Sequence, residues 1–358
     1  MMPNLRFLDR APARTDAARR ALVRAVPAAA LLACAGRTRG AESAGARPAS
    51  GDPSHAAARC LIPAKAGGGF ELTCGLARDA LQAVRPARPP LVSRYLPGGI
   101  GALAFSRIAT GQTGGDDTLV AFSSGSLLNL AQGRFGPYGA SAVHWIAALG
   151  ADFGAVAVQG DAPYRNLQDL LQALRRDMNR IVFGAGGTVG SQDWVKAALL
   201  VRAAGRDHRA MRFVSFEGGG DAISALQGGH VTVFTGDAAE AVQATAAGTP
   251  LRFLAMLSDA RLPGPLAHVP TAREQGIDLV WRTVRGLYLS AQAPQVSADA
   301  WRQAFEEAIA DPGYAALLKR YGLYAFALTG PALDEFVRRS LADYRALAAS
   351  LGLKGWNR

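Results

Sequence analysis

Residues 62–73 run Ile62-Pro63-Ala64-Lys65-Ala66-Gly67-Gly68-Gly69-Phe70-Glu71-Leu72-Thr73, an apolar stretch, three glycines, and the start of a helix-spaced pattern through Leu72, Leu76, Ala80 and Leu81. Such a run commits the chain to strand, sharp turn and helix. Glycine has no Cβ, so another group can approach this backbone closely. The first N–H groups of the helix lack intrahelical acceptors and favour negative charge. Further glycine turns follow apolar runs at Pro97-Gly98-Gly99, Ser123-Ser124-Gly125-Ser126, Gly184 to Ser191 and Glu217-Gly218-Gly219-Gly220-Asp221. Strand candidates at 60–63, 91–95, 118–122, 155–158, 181–183, 211–215, 231–235 and 251–257 alternate with helix candidates near 70–84, 99–110, 166–177, 190–204, 219–228 and 237–247. That alternation predicts an α/β fold with largely parallel pairing. Helices at 298–310, 312–321 and 331–350 follow, with Asn166 and Ser297 as expected N-caps and Leu333, Phe336, Val337, Leu341, Tyr344 and Leu347 on one buried face. Ligands of open α/β sheets bind at the carboxyl ends of strands. Glycine turns from two lobes would therefore face each other across a cleft, offering backbone donors and hydroxyls to a carboxylate or phosphate.

At 358 residues the chain has room for two lobes. Its formal charge is +11, of which residues 1–35 supply +4, six arginines less Asp9 and Asp16. The rest is dispersed, without the basic, aromatic-bearing face of a nucleic-acid binder. A mild bias toward small anions remains. Arg19-Arg20, an apolar stretch from Ala25 to Ala35 too short to span a bilayer, and Ala33-Cys34-Ala35 read as an export signal over 1–35. Residues 36–58 read as a linker, and the protein is expected to be periplasmic; a lipid anchor at Cys34 is the alternative. Cys60 should start a strand and Cys74 lie in the next helix, beyond the ~7 Å that a disulfide allows, so free thiols are expected. The histidines at 55, 144, 208, 230 and 268 show no metal-ligand spacing, and neither metal nor cofactor is expected.

Two enzymatic readings are weaker. Gly184-Ala185-Gly186-Gly187-Thr188-Val189-Gly190 has the spacing G-x-G-x-x-x-G, but it lies mid-chain and leaves the first glycine turn unexplained. Ser124, Ser126 and Ser191 lie in no G-x-S-x-G elbow, and hydroxyls that donate to an anion or cap helices fit them better.

The sequence of motifs resembles the substrate-binding proteins of tripartite tricarboxylate transporters, the Bug-type receptors, over roughly 59–350. Pro63 to Gly69, Leu96-Pro97-Gly98-Gly99-Ile100-Gly101, Gly115-Asp116-Asp117-Thr118-Leu119 and Phe183 to Thr188 carry the resemblance. Phe216 to Gly220, Leu226 to Val231, Val269 to Gly276 and Arg285-Gly286-Leu287-Tyr288 complete it. Gly186 to Trp194 and Ser258 to Gly264 are most similar to the tricarboxylate-binding branch. The resemblance implies a two-lobed periplasmic binding protein fold of type II, a Venus flytrap. Lobe one would comprise 59–158 plus 285–358, and lobe two 159–284. It further implies a monomeric, non-enzymatic receptor that closes on a di- or tricarboxylate such as citrate and delivers it to a membrane permease. A sensory role or an exported α/β enzyme are the alternatives. Gly68, Gly69, Phe70, Glu71 and Thr73 would anchor a carboxylate, with Gly99, Ser124 and Ser126 beside them. Gly187, Thr188, Ser191 and Gln192 would grip from lobe two, with Glu217, Gly218, Gly219 and Asp237 at the border. Glu71 stands where the family usually has aspartate; it either meets the ligand or merely complements the helix dipole. Trp194 is open between cleft and core, and Arg285 between ligand partner and structural ion pair. Gly69→Val is expected to abolish binding and spare the fold.

Overall fold

The computed structural model describes residues 58–353 and residue 355; the expected export signal, Cys34 and all but the last residue of the expected linker lie outside the described residues. In chain order the elements are β1 (Arg59–Ile62), α1 (Gly69–Val84), β2 (Val92–Tyr95), α2 (Ala102–Ala109), β3 (Thr118–Ser123), α3 (Ser124–Ala131) and the long β4 (Val143–Gln159). Next come α4 (Leu167–Asp177), β5 (Val182–Gly186), α5 (Gln192–Ala203), β6 (Arg212–Phe216), α6 (Gly219–Gln227), β7 (Val233–Phe234), α7 (Ala238–Ala246) and β8 (Leu251–Leu257). The chain ends with β9 (Arg282–Ser290), α8 (Gln295–Ala310), α9 (Tyr314–Arg320), β10 (Leu328–Thr329) and α10 (Gly330–Ser350).

β4 belongs to two sheets. Its first part, Val143 to Phe153, pairs antiparallel with β9, which continues antiparallel to β3. β1 then lies parallel between β3 and β2. From Gly154 onward β4 pairs antiparallel with β8, and at Ala157 with β7, beyond which β5 and β6 run parallel. Register shifts near Ala147 and Gly150, within the pairing with β9, and at Ala157, within the pairing with β8, bend the strand on either side of its passage between sheets. Parallel pairing is thus confined to the flanks, and the expected largely parallel arrangement is corrected to a mixed one. The units β1–α1–β2 and β5–α5–β6 are parallel, as their periodicity implies, whereas β4 and β5, joined through α4, run in opposite directions. The antiparallel centre arises because β9 returns from a distant part of the chain, which no local pattern reveals.

The first sheet packs its Cys60, Ile62 and Leu119 against α1 and α8, with Leu76, Leu81, Trp301 and Phe305 in one buried cluster. α10 buries Leu333, Val337, Leu341, Tyr344 and Leu347 of the expected face, while Phe336 is only partly buried at its edge, its ring against Phe326. Cys60 and Cys74 are joined in a disulfide, with Cα atoms 5.8 Å apart, against the expectation of free thiols. α1 doubles back over β1 directly after the turn. Five residues of helix rise about 7.5 Å, and two strand steps span about 6.6 Å, so the two cysteines come level. Asn166 caps α4 by accepting from the Asp169 N–H, as expected. Ser297 does not cap α8; Pro294 holds that position and Ser297 is buried in the first turn.

Candidate functional site

Five helices begin around one cavity. α1 contributes Gly68, Gly69 and Phe70; α3 contributes Ser123 and Gly125; α5 contributes Ser191 and Gln192. α6 adds Gly218 and Gly219, and α7 adds Asp237 and Glu240, around a volume of about 60 Å³. Each of these helices follows a strand, directly in the case of α3 and through a turn in the others, so its first N–H groups and the positive end of its dipole lie at the cavity. The turns of the two sheets meet here. A Cβ on Gly67 would stand 3.8 Å from Gly220 Cα, and Lys65 Nζ lies 3.8 Å from Asp221 Oδ2. On the other side Arg134 Nη1 donates to Thr188 Oγ1 at 2.9 Å, and Gln132 Nε2 to the Gly190 carbonyl at 2.8 Å.

Below the cavity lies a buried ion network. Asp237 Oδ1 accepts from Lys196 Nζ (2.9 Å) and Thr283 Oγ1 (3.0 Å); its Oδ2 accepts from Arg285 Nη2 (2.9 Å) and Gln192 Nε2 (3.0 Å). Arg285 Nη2 also reaches Asp152 Oδ2 at 2.9 Å, and Lys196 Nζ reaches Asp193 Oδ1 at 2.8 Å. Burial opposes ionisation of Asp237, but Lys196 and Arg285 outweigh it and hold its pKa below the usual value. Burial raises Asp193 to about 6, with Lys196 opposing. Burial raises Glu240 to about 8, aided by Asp237, Asp193 and Asp152 and opposed by Arg285. Glu240 keeps part of its surface open to the cavity, but its carboxyl lies deep enough among protein atoms for desolvation to dominate. Four carboxyl groups therefore share two cations.

The expected site residues divide into three sets. Gly68, Gly69, Phe70, Ser191, Gln192, Glu217, Gly218, Gly219 and Asp237 line the cavity. Gly99, Gly187 and Thr188 line an adjoining cavity of about 270 Å³, which also reaches Ser191 and Glu217. Glu71, Thr73, Ser124 and Ser126 lie outside the lining of both. Glu71 accepts from the Gly67 N–H (2.6 Å) and Tyr95 Oη (2.7 Å), which holds the first turn shut. Thr73 Oγ1 donates to the Gly69 carbonyl at 2.8 Å. Ser124 Oγ accepts from the Val284 N–H at 2.9 Å, and Ser126 Oγ from the Ser123 N–H at 3.1 Å as half of a capping box. Arg285 is ion-paired to Asp152 and Asp237 and also lines the cavity, so both of its expected roles stay open, and Trp194 is core, its ring edge-on to His208. The guanidinium of Arg285 lies against Gly69, so any side chain there would overlap it, and Gly69→Val would disturb the buried ion network as well as the anchor.

Sequence reasoning missed Glu240, Lys196, Asp152, Arg134 and Asn129. Asp237-Ala238-Ala239-Glu240 has the N-cap-to-N3 spacing of a capping box, the one signal that could have drawn attention to Glu240. Asn129, 4% exposed, borders both cavities with its Oδ1 lacking a hydrogen-bond partner among the described residues. Among the described residues no group of His, Cys, Asp and Glu is arranged to hold a metal, and no helix is long and apolar enough to cross a membrane.

The family profile described as "Tripartite tricarboxylate transporter family receptor" matches residues 134–353, more than half of the chain. The chain belongs to this family. The receptor is similar to a TctC solute binding protein from Polaromonas at 25% identity and a TM-score of 0.56, covering 82% of this chain and 98% of that one. MatC from Rhodopseudomonas palustris, solved with bound malate, is 20% identical with a TM-score of 0.69, over 81% of this chain and 98% of its own. An R. palustris protein solved with adipate gives 17%, 0.74, 82% and 97%. No curated protein sequence matches the receptor. Its fold is the mixed α/β, two-lobed type II fold of periplasmic binding proteins.

Proposed function

We propose that this periplasmic solute-binding receptor captures a small di- or tricarboxylate in the cavity where α1, α3, α5, α6 and α7 begin, and delivers it to a membrane permease. The convergence of those five N-termini carries the reading. Oriented dipoles there replace water around an anion at no cost of reorganisation. Residues 59–158 with 285–358 act as one lobe and 159–284 as the other, and the bent β4 with β9 forms the hinge. Ligand shifts the equilibrium toward the closed form by its differential affinity for that form. Gly68, Gly69 and Phe70 anchor one carboxylate, while Ser191, Gln192 and Gly219 bound it from the opposite lobe. The small cavity and the acidic excess below it favour a dicarboxylate over citrate. The serine geometry supports binding without turnover: Ser191 Oγ donates to the Gly186 carbonyl at 3.1 Å and accepts from the Trp194 N–H at 3.3 Å.

Calorimetric titration with malate, adipate and citrate tests this. A one-to-one complex from which the ligand is recovered unchanged is expected, with about 2.7 kcal/mol of added stability at 100 times the dissociation constant. Turnover of any of them, or no binding by any, rejects the proposal.

A further inference from the structure

Glu240 sits where the reading above places a ligand carboxylate. It is the third residue of α7, yet its carboxyl does not cap that helix. Its Oε1 accepts from the Gly69 N–H at 2.6 Å, on an element of the other sheet. Its Oε2 lies against Gly219, so that a Cβ there would overlap it. Gly69 and Gly219 are the first residues of α1 (16 residues) and α6 (9 residues), so one carboxyl group occupies the junction of two helix N-termini from opposite sides of the cleft. No ion pair explains its presence. Arg285 below is already matched by Asp152 and Asp237, and Lys196 by Asp193 and Asp237. The cavity is also incomplete at Asn129, whose buried Oδ1 still needs a donor.

We propose that Glu240 is a built-in stand-in for the ligand carboxylate, holding the Gly69 anchor in the empty receptor and yielding it when a carboxylate binds. It thereby sets both the affinity and the charge of the ligand admitted. The inference rests on the cavity being a carboxylate site, but the stand-in can be tested without the natural ligand. The charged groups facing Glu240 are Asp237 on its own helix, Asp152 on β4, Asp193 and Lys196 on α5, and Arg285 on β9, with Glu217 on the turn before α6. Carboxylates outnumber cations among them, so two ionised carboxyls repel each other at the anchor. Carboxylate binding should therefore weaken as the pH rises and Glu240 ionises.

Glu240→Ala in the full chain leaves a carboxylate-sized gap between Gly69 and Gly219. Acetate at about 100 mM should raise its unfolding temperature by ligand linkage, whereas chloride at equal ionic strength should not. The wild type and Glu240→Gln, in which acetate must first displace the resident side chain, should respond far less to the same acetate. Malate or adipate should bind Glu240→Ala about tenfold more tightly than wild type, a difference of about 1.4 kcal/mol. If Glu240→Ala folds poorly, recovery of its circular dichroism by acetate is the same readout. Acetate rescue with no dicarboxylate binding to either protein would keep the stand-in and reject the receptor reading. Equal dicarboxylate binding by both proteins, with no acetate response, would reject the stand-in and keep the receptor.

Discussion

Gly69→Ala separates a packing requirement from a helix preference, because the two predict opposite signs. Gly69 is the first residue of α1, and within a helix alanine is better than glycine by about 0.8–1 kcal/mol, a gain reduced at the first position. Propensity alone therefore predicts a modest stabilisation. The structure predicts the reverse. The new Cβ would fall well under 3.0 Å from three atoms of the Arg285 guanidinium. Relieving that overlap needs a displacement of more than 1 Å, roughly estimated from ordinary van der Waals separations. The 2.9 Å bonds from Arg285 to Asp152 and Asp237 cannot survive it. Breaking a buried ion pair costs about 3–5 kcal/mol, or about 10 °C in unfolding temperature for a chain of this size. Gly218→Ala is the control: its backbone is extended, with φ −171 and ψ 168, and a Cβ there meets nothing within 4 Å. Differential scanning calorimetry of both variants is the assay. A Gly69→Ala protein as stable as wild type, or a Gly218→Ala protein equally damaged, would refute the reasoning.

Three further outcomes follow from the same geometry. Lys196→Met should cost about 3–5 kcal/mol near neutral pH by leaving Asp193 and Asp237 without their ammonium; the loss, read from urea unfolding, should shrink in acid as those carboxyls protonate. Replacing Cys60 and Cys74 together by alanine should cost about 2–4 kcal/mol, since the disulfide closes a loop with a sequence separation of 14; unfolding with and without reductant should show the loss only as a property of the bond. Glu240 has a folded-state pKa of about 8, above its ordinary 4.5, so the stability its protonated form contributes is complete below about 4.5 and is lost as pH rises through about 8. Glu240→Gln should therefore gain on wild type across that window and level off above it; a pH-independent difference in denaturant midpoint would contradict the assignment.

Local structure was legible wherever a local cause produced it. α1 begins at Gly69 because a glycine turn ends an apolar strand, and α10 buries the face its apolar spacing marks. Leu251–Leu257 is a strand over the full apolar run. The first part of β4, with Gly150 and Asp152 in it, carries no clean alternation and was not foreseen, nor were β9 and α3. Ser124 and Ser126 looked like anion donors because hydroxyls beside a glycine turn fit that role. The structure commits both to backbone groups.

The sequence alone therefore determined the strand–turn–helix units, the glycine positions and the family resemblance, because each is written in neighbouring residues. It also identified most of the backbone that lines the cavity, since a glycine turn before a helix must present its N–H groups at the strand's carboxyl end. Only the tertiary structure decided which side chains meet there. Asp152, Asp193, Lys196, Asp237, Glu240 and Arg285 come from four separate elements, and their charges act on one another only once burial removes the water between them. The disulfide was decided the same way, since the height at which α1 crosses β1, and not the spacing of Cys60 and Cys74, brings their sulfurs together.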